Sequence, residues 1–164
     1  MPELRLGSGF DVHQLIDGVP LVLGGVTVES DRGLAGDSDG DVLVHAIIDA
    51  LLGAAAEGDM GEWFPPSDPG VRNAYSLDLL RKTHARLAAI GWRVVNVDAT
   101  VIAQFPRIAP LRNQIRRVLA DALNLDLSRV SVKATTPDHL GAVGRMEGVA
   151  AQAVALLEAP ARAE

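Results

Sequence analysis

No cysteine occurs among the 164 residues, which excludes disulfides and every thiolate metal site. Any metal ion bound by this chain must be held by histidine, carboxylates or other oxygens. No apolar run approaches the roughly 18 residues that a bilayer span needs, so no membrane partner is expected. The opening Met-Pro-Glu-Leu-Arg-Leu lacks the apolar core of a signal peptide, and the expected location is the cytoplasm. Positive charge is scarce as well. Lys and Arg number 15 against 21 Asp and Glu, a net charge of −6, which argues against nucleic acid as the main partner. A phosphorylated substrate stays compatible with such a chain if metal ions, helix N-termini or a few placed arginines supply local positive charge.

What is present is an apolar chain of 17.3 kDa, the size of one domain (residues 1–164) with a proper core. Its 48% hydrophobic content and mean hydropathy of +0.19 suit a subunit that also buries surface against copies of itself. The most informative stretch is Ser38-Asp39-Gly40-Asp41-Val42-Leu43-Val44-His45, running on to Ala56. It reads as a helix over 38–56, with Ser38 as the cap and Asp41 in the capping-box position. A spacing of four puts Asp41, His45 and Asp49 in one row. Every other face is apolar, so the helix is buried and its histidine needs polar partners. Upstream, Gly9-Phe10-Asp11-Val12-His13 reads as a strand, whose period of two turns Asp11 and His13 to one side. Asp11, His13 and His45 together form a three-ligand zinc set with one coordination position open. Asp41 and Asp49 read as capping and supporting groups rather than ligands.

Along the chain, the patterns predict a strand over 4–13, a loop over Gln14–Val19 and a small hairpin over Pro20–Val28 around Gly24-Gly25. A loop over Glu29–Asp37 leads to the long helix, and a further loop occupies 58–68. Ser76 reads as the cap of a helix over 77–90 with the stripe Leu77, Leu80, Leu87 and Ile90, closed by Gly91. His84 on that helix reads as an ordinary edge histidine. A strand over 92–104, a helix over 110–123 begun by Pro110, a strand over 129–135 and a final helix over 146–158 complete the order. The expected class is α+β: a mixed β-sheet with helices packed on one face.

Five motifs in order, Gly9-Phe10-Asp11-Val12-His13, Ser38-Asp39-Gly40-Asp41, His45, Asp59-Met60-Gly61 and Lys133-Ala134-Thr135-Thr136, closely resemble the 2-C-methyl-D-erythritol 2,4-cyclodiphosphate synthase family of non-mevalonate isoprenoid biosynthesis. The resemblance runs from about Arg5 to Leu157. It implies a homotrimer with an active site at each subunit interface, using Zn2+ and a second ion, Mg2+ or Mn2+. The implied reaction converts 4-diphosphocytidyl-2-C-methyl-D-erythritol 2-phosphate to the cyclodiphosphate, and CMP leaves.

Carried over residue by residue, the resemblance makes Asp11, His13 and His45 the zinc ligands, with Val12 and Ser38 beside them against the substrate. Asp59, Met60 and Gly61 would line the methylerythritol part, followed by Phe64, Pro65, Pro66, Ser67 and Asp68. Cytosine would be read by the backbone of Ala103, Gln104, Phe105, Pro106, Arg107, Ile108 and Ala109. Thr135 and Thr136 would sit at the nucleotide and reacting phosphates, with Thr136 and Asp37 as the catalytic candidates. Pro137 and Asp138 follow, Asp138 standing where the family has a glutamate that ligates the magnesium or manganese ion. Arg145 matches a phosphate-contacting position, with Glu147 two residues on.

Three departures stand out. Asp37 replaces the usual His, Asp138 is one methylene shorter than the usual Glu, and Ala142 replaces a Phe beside an apolar cavity described in family members. Two other classes fit the same residues: a metal-dependent phosphohydrolase, and a non-catalytic trimer that binds isoprenoid diphosphates.

Overall fold

Two glycines in the first strand set how closely the layers stack. The structure, a computed structural model, describes residues 2–159. Strand β1 (Glu3–Asp17) alternates, and its odd positions Gly7 and Gly9 lie beneath helix α1 (Val42–Ala55). A Cβ on Gly7 would overlap the Ala50 carbonyl oxygen, and one on Gly9 the Ala46 carbonyl oxygen. Helix backbone therefore rests directly on strand backbone. Two strand residues rise about 6.7 Å and four helix residues about 6 Å, so the pairs Gly7–Ala50 and Gly9–Ala46 keep step along both elements. The next odd positions on β1, Asp11 and His13, then come under the N-terminal turn of α1, where His45 lies.

The hairpin of β2 (Leu21–Leu23) and β3 (Val26–Val28) turns at Gly24-Gly25, both with positive φ. Strand β4 (Arg32–Leu34) pairs with the end of β1. After α1 come α2 (Met60–Trp63), α3 (Ser76–Ala89), β5 (Arg93–Ile102) and α4 (Arg112–Ala122). A 3-10 turn (Leu127–Arg129), β6 (Val130–Thr135), α5 (Gly141–Gly144) and β7 (Gly148–Ala159) finish the order. The sheet runs β4-β1-β7-β5-β6. It is mixed: β5 and β6 are parallel, while β7 is antiparallel to both β1 and β5.

Register divides the sheet cleanly into two faces. The rows Gly7-Ala155-Val97-Val130 and Gly9-Ala153-Ala99-Val132 are buried beneath the helices. The alternate residues of β1, Leu4, Leu6, Phe10 and Val12, are all more than half exposed on the opposite face. Helices α1, α3 and α4 form one layer, so the expected α+β class with one helical face holds.

Several boundaries differ from the sequence reading. The expected helix over 146–158 is the strand β7. Its Ala, Leu, Gln and Glu favour a helix intrinsically, but the segment is hydrogen-bonded on both sides as the strand between β1 and β5. Small Ala151, Ala153 and Ala155 face α1 and leave it room, a tertiary demand that overrides propensity. Gln14–Asp17, expected as loop, continues β1 because β4 provides a partner. The first helix begins at Val42, not 38. Its cap is Asp41, which accepts from Val44 N–H at 3.1 Å, and not Ser38. The α3 stripe uses Leu79, Leu80, Thr83 and Leu87, whereas Ile90 is exposed. Pro110 precedes α4 by two residues rather than opening it.

Asp41 is wholly buried and also accepts from the N–H groups of Gly24 (2.9 Å) and Gly25 (2.7 Å), tying the hairpin turn to the start of α1. Burial pushes its carboxyl up to about 6 despite three N–H donors.

Gly9→Ala should lower stability by about 3 kcal/mol, because the methyl must displace helix backbone rather than a pliable side chain. Denaturant titration checks this. An unchanged midpoint would mean that α1 does not rest on β1 as described.

A candidate metal site and a nucleotide-sized cleft

Three side chains from two elements converge where β1 passes under the start of α1. Asp11 Oδ2 lies 2.8 Å from His13 Nε2 and 3.0 Å from His45 Nδ1. The two imidazole nitrogens are 3.2 Å apart. Asp11 Oδ1 is occupied elsewhere, accepting the Val12 N–H at 2.8 Å. Two-residue spacing on a strand explains how Asp11 and His13 share a face, and the close contact at Gly9 brings His45 down to them.

The outward-facing nitrogen settles the tautomer of His13. His13 Nδ1 meets the Ala35 carbonyl oxygen, which can only accept, so Nδ1 carries the proton and Nε2 points inward as a lone pair. His45 Nε2 meets the hydroxyls of Ser76 at 2.8 Å and Ser38 at 3.0 Å, and Nδ1 points inward. With the His45 proton on Nε2, two lone pairs and a carboxylate face one another, an arrangement that a cation relieves. Bonds of about 2.0–2.2 Å at tetrahedral angles separate zinc ligands by about 3.3 Å. The observed separations of 2.8, 3.0 and 3.2 Å are close to that spacing. These residues form a group able to hold a metal ion, and the donor set of two imidazoles and one carboxylate fits zinc.

Without a cation, protons on the inward-facing ring nitrogens take its place beside the carboxylate. Burial opposes ionisation of Asp11, but hydrogen bonds with His13 and His45 hold its carboxyl well below the usual range. The Asp11 hydrogen bond in turn raises His13, with burial opposing it. The cluster opens into a cleft of about 250 Å³ whose lining includes Asp37, Ser38, Met60, Gly61, Phe64 and Pro66. Asp49 lines it too, and its Oδ1 accepts the Met60 N–H at 2.8 Å, which anchors α2 to α1. Burial raises the Asp49 carboxyl.

A second cleft, about 560 Å³, lies at the C-terminal ends of β5 and β6. Ala103, Gln104, Pro106, Arg107, Ile108 and Ala109 line it, as do Thr135 and Thr136. Pro106 and Ile108 are buried while Arg107 is exposed. The Thr136 hydroxyl oxygen accepts the Asp138 N–H at 3.0 Å, and Gln104 accepts from the His139 N–H at 3.1 Å.

The other candidates lie outside both clefts. Val12 is on the exposed sheet face, opposite to its neighbours Asp11 and His13. Asp59 caps α2 through Glu62 N–H, and Asp68 bonds the Gly70 N–H. Pro65, Ser67, Pro137 and Ala142 line neither cleft, and Phe105 borders a small separate one. Arg145 pairs with Glu147 at 2.6 Å on the surface. His84 is a half-buried edge histidine beside Trp92, as expected.

Sequence reasoning missed Ser76 and Arg112. Ser76 is not a cap: Tyr75 holds that position, while the Ser76 hydroxyl is fully buried against His45. Arg112, the first residue of α4, lines the larger cleft, and a lone arginine in a basic helix gave no signal.

A mixed sheet under one helical layer, a three-residue group able to hold a cation and a separate cleft at the ends of β5 and β6 define the class of fold and site. Residues 4–158 match the model of the YgbB family, and the chain belongs to that family. A 2-C-methyl-D-erythritol 2,4-cyclodiphosphate synthase from Moorella thermoacetica is 54% identical over 154 residues, 94% of each chain. One from Thermosynechococcus vestitus is 51% identical, covering 96% of this chain and 98% of its own. The IspF–CDP complex from Plasmodium falciparum is 33% identical with a TM-score of 0.82, covering 96% of each chain. The bifunctional IspDF from Campylobacter jejuni is 40% identical with a TM-score of 0.93, and this chain spans 97% of its own length but 43% of that longer one.

Metal affinity should fall on acidification. A raised His13 value keeps Nε2 protonated to higher pH than in a free histidine, so proton competition begins above the ordinary 6.5. Chelator competition for zinc between about pH 8.5 and about pH 5.5 checks this; a flat profile would remove His13 from the ligand set. His13→Ala should weaken zinc binding at least about tenfold with the far-UV dichroism unchanged.

Proposed function

We propose that the chain closes a cyclic diphosphate within a single substrate molecule. The 2-phosphate of 4-diphosphocytidyl-2-C-methyl-D-erythritol 2-phosphate attacks the β-phosphorus. A new P–O bond forms, the P–O bond to the CMP phosphate breaks, and CMP leaves with that electron pair. One observation carries the reading: relatives 51–54% identical across at least 94% of this chain are 2-C-methyl-D-erythritol 2,4-cyclodiphosphate synthases. Cyclodiphosphate synthase function in isoprenoid biosynthesis follows from that membership.

No protein nucleophile is needed, because the attacking group belongs to the substrate. The chain's task is to align two phosphates and absorb charge. Asp11, His13 and His45 would hold a zinc ion, and Asp138, exposed beside Thr136, a magnesium or manganese ion. Such ions supply Lewis acidity at phosphoryl oxygens. Thr136 accepts from the Asp138 N–H, which leaves its hydroxyl proton free to donate to a phosphate oxygen. The 103–109 turn holds cytosine through backbone, since Pro106 and Ile108 are buried and Arg107 points outward. Asp37 lines the metal cleft. As a carboxylate it offers no donor to phosphate where the family's imidazole could.

Assembly as a homotrimer, with sites between subunits, has two supports. Within one chain, the two clefts share no lining residue, and α1 covers β1 and β7 between them. A diphosphate spanning both is served better by clefts from neighbouring copies. The bare sheet face with Leu4, Leu6, Phe10 and Val12 supplies apolar surface for such copies. No helix among the described residues is long and apolar enough to cross a membrane, and a cytoplasmic location is part of the same reading.

Incubation with the diphosphocytidyl substrate and zinc plus magnesium should release CMP together with the cyclic diphosphate. CMP with a linear diphosphate would indicate a phosphohydrolase, and no turnover a binding protein. Sedimentation should give a species near three times 17.3 kDa, and a monomer at micromolar concentration would refute the trimer. Arg107→Ala should weaken CMP binding only about twofold to threefold, as expected for a rim side chain. A larger loss would make Arg107 a direct recognition element.

A further inference from the structure

The partners of His45 on its far side are polarised in one direction. Asp39 accepts the Ser76 backbone N–H on Oδ2 at 3.1 Å and the Asp41 N–H on Oδ1 at 3.3 Å. Its Oδ1 also meets the Ser76 hydroxyl at short range. A carboxylate already receiving two N–H groups can only accept, so the single Ser76 hydroxyl proton is spent on Asp39. Ser76 Oγ, fully buried and 2.8 Å from His45 Nε2, is then left with lone pairs alone to offer the ring. It can accept from Nε2–H and cannot donate to it.

Ser38 differs. Its hydroxyl lies 3.0 Å from His45 Nε2, 3.1 Å from Ser76 Oγ and 3.3 Å from Gly40 N–H, and its proton is free to turn towards the ring. Ser38 alone would tolerate either tautomer. On the inner side, Asp11 Oδ2 at 3.0 Å would favour a proton on Nδ1, the wrong nitrogen for a ligand facing the cluster.

We propose that Asp39 and Ser76 form a tautomer lock on His45, positioning residues that keep its proton on Nε2 and its Nδ1 lone pair turned to Asp11 and His13. The lock's purpose rests on the metal reading above, while its existence rests on the hydrogen-bond directions alone. Strand and helix bring the ligands together, and the lock decides which nitrogen of His45 binds. His13 reaches the same end through a simpler device, the Ala35 carbonyl oxygen. The two histidines thereby present opposite ring nitrogens to one point.

The test reads the tautomer without metal and the metal without turnover. In zinc-free protein at about pH 8.5, where imidazole is neutral, long-range 1H–15N correlation should find His45 of the unaltered chain wholly as Nε2–H. In Ser76→Ala the Nδ1–H form should appear, drawn by Asp11, and zinc affinity in chelator competition should fall about 10- to 100-fold. Ser76→Thr, which keeps the hydroxyl, should restore the single tautomer and most of the affinity. If Ser76→Ala does not fold, Asp39→Asn carries the same test, since it loosens the claim on the Ser76 proton while preserving size. His45 remaining wholly Nε2–H in Ser76→Ala or Asp39→Asn would overturn the proposal, even with zinc affinity reduced, because the pair would then serve packing only. An unaltered chain with a locked tautomer but no zinc binding would sink the metal reading and leave the lock standing.

Discussion

The backbone contact between α1 and β1 is the constraint on which the other features depend. A helix normally stands about 10 Å from a sheet, with side chains filling the gap. Here Gly7 and Gly9 remove that layer, and the Ala46 and Ala50 carbonyl oxygens occupy the space. The approach is one-sided in sequence terms: glycine on the strand, alanine on the helix and alanine again on β7. It lets short side chains such as Asp11 reach a group on the helix. With an ordinary spacing, Asp11 Oδ2 could not lie 3.0 Å from His45 Nδ1. Site and core are thus one packing solution, which is why a methyl group two residues from Asp11 matters.

The polar groups near this contact are handled by division of labour. Asp41 is buried completely and spends its oxygens on three backbone N–H groups, holding hairpin and helix together at the cost of a carboxyl raised to about 6. Asp49 spends an oxygen on Met60 N–H and positions α2. Only His45 of that row turns inward to Asp11 and His13. One row at helical spacing therefore offers three things: a cap, a candidate ligand and a loop anchor. No fully buried side-chain nitrogen or oxygen of that helix lacks a partner, as burial requires.

Much of this was legible in the chain and some was not, for physical reasons. The i, i+2 pair Asp11 and His13, the apolar surround of His45 and the Gly24-Gly25 turn are local patterns, and local patterns survive folding. Strand β7 was misread because Ala, Leu, Gln and Glu favour helix, and only its neighbours on both sides make it a strand. Its period of two was present in Ala151-Ala153-Ala155-Leu157 against Gln152-Val154-Leu156, masked by the small size of the buried set. Ser38 and Ser76 were read as caps, since serine before an apolar run usually is one. Their true partner is His45, a contact between segments far apart in sequence that spacing cannot announce. The cap of α1 went to Asp41 because its carboxylate can serve the hairpin as well as the helix.

A chain of net charge −6 that handles a substrate with several phosphates must avoid repelling it. The sequence does this without a cluster of lysines. Four carboxylates around the cluster are committed, Asp11 to two imidazoles, Asp39 to Ser76, Asp41 and Asp49 to backbone, while Asp37 stands in the cleft wall. Bound cations would then supply the positive charge where phosphates meet, and backbone and hydroxyls would do the rest. Such a site gains little from a reactive side chain and much from distance control, since the nucleophile arrives on the substrate. Rigid contacts serve distance control best, and the glycine-to-carbonyl approach beneath α1 is as rigid a contact as a protein core offers. On the proposed reading, the same economy would let clefts for base and metal sit apart on one chain, since neither would have to move if copies of the chain set them side by side.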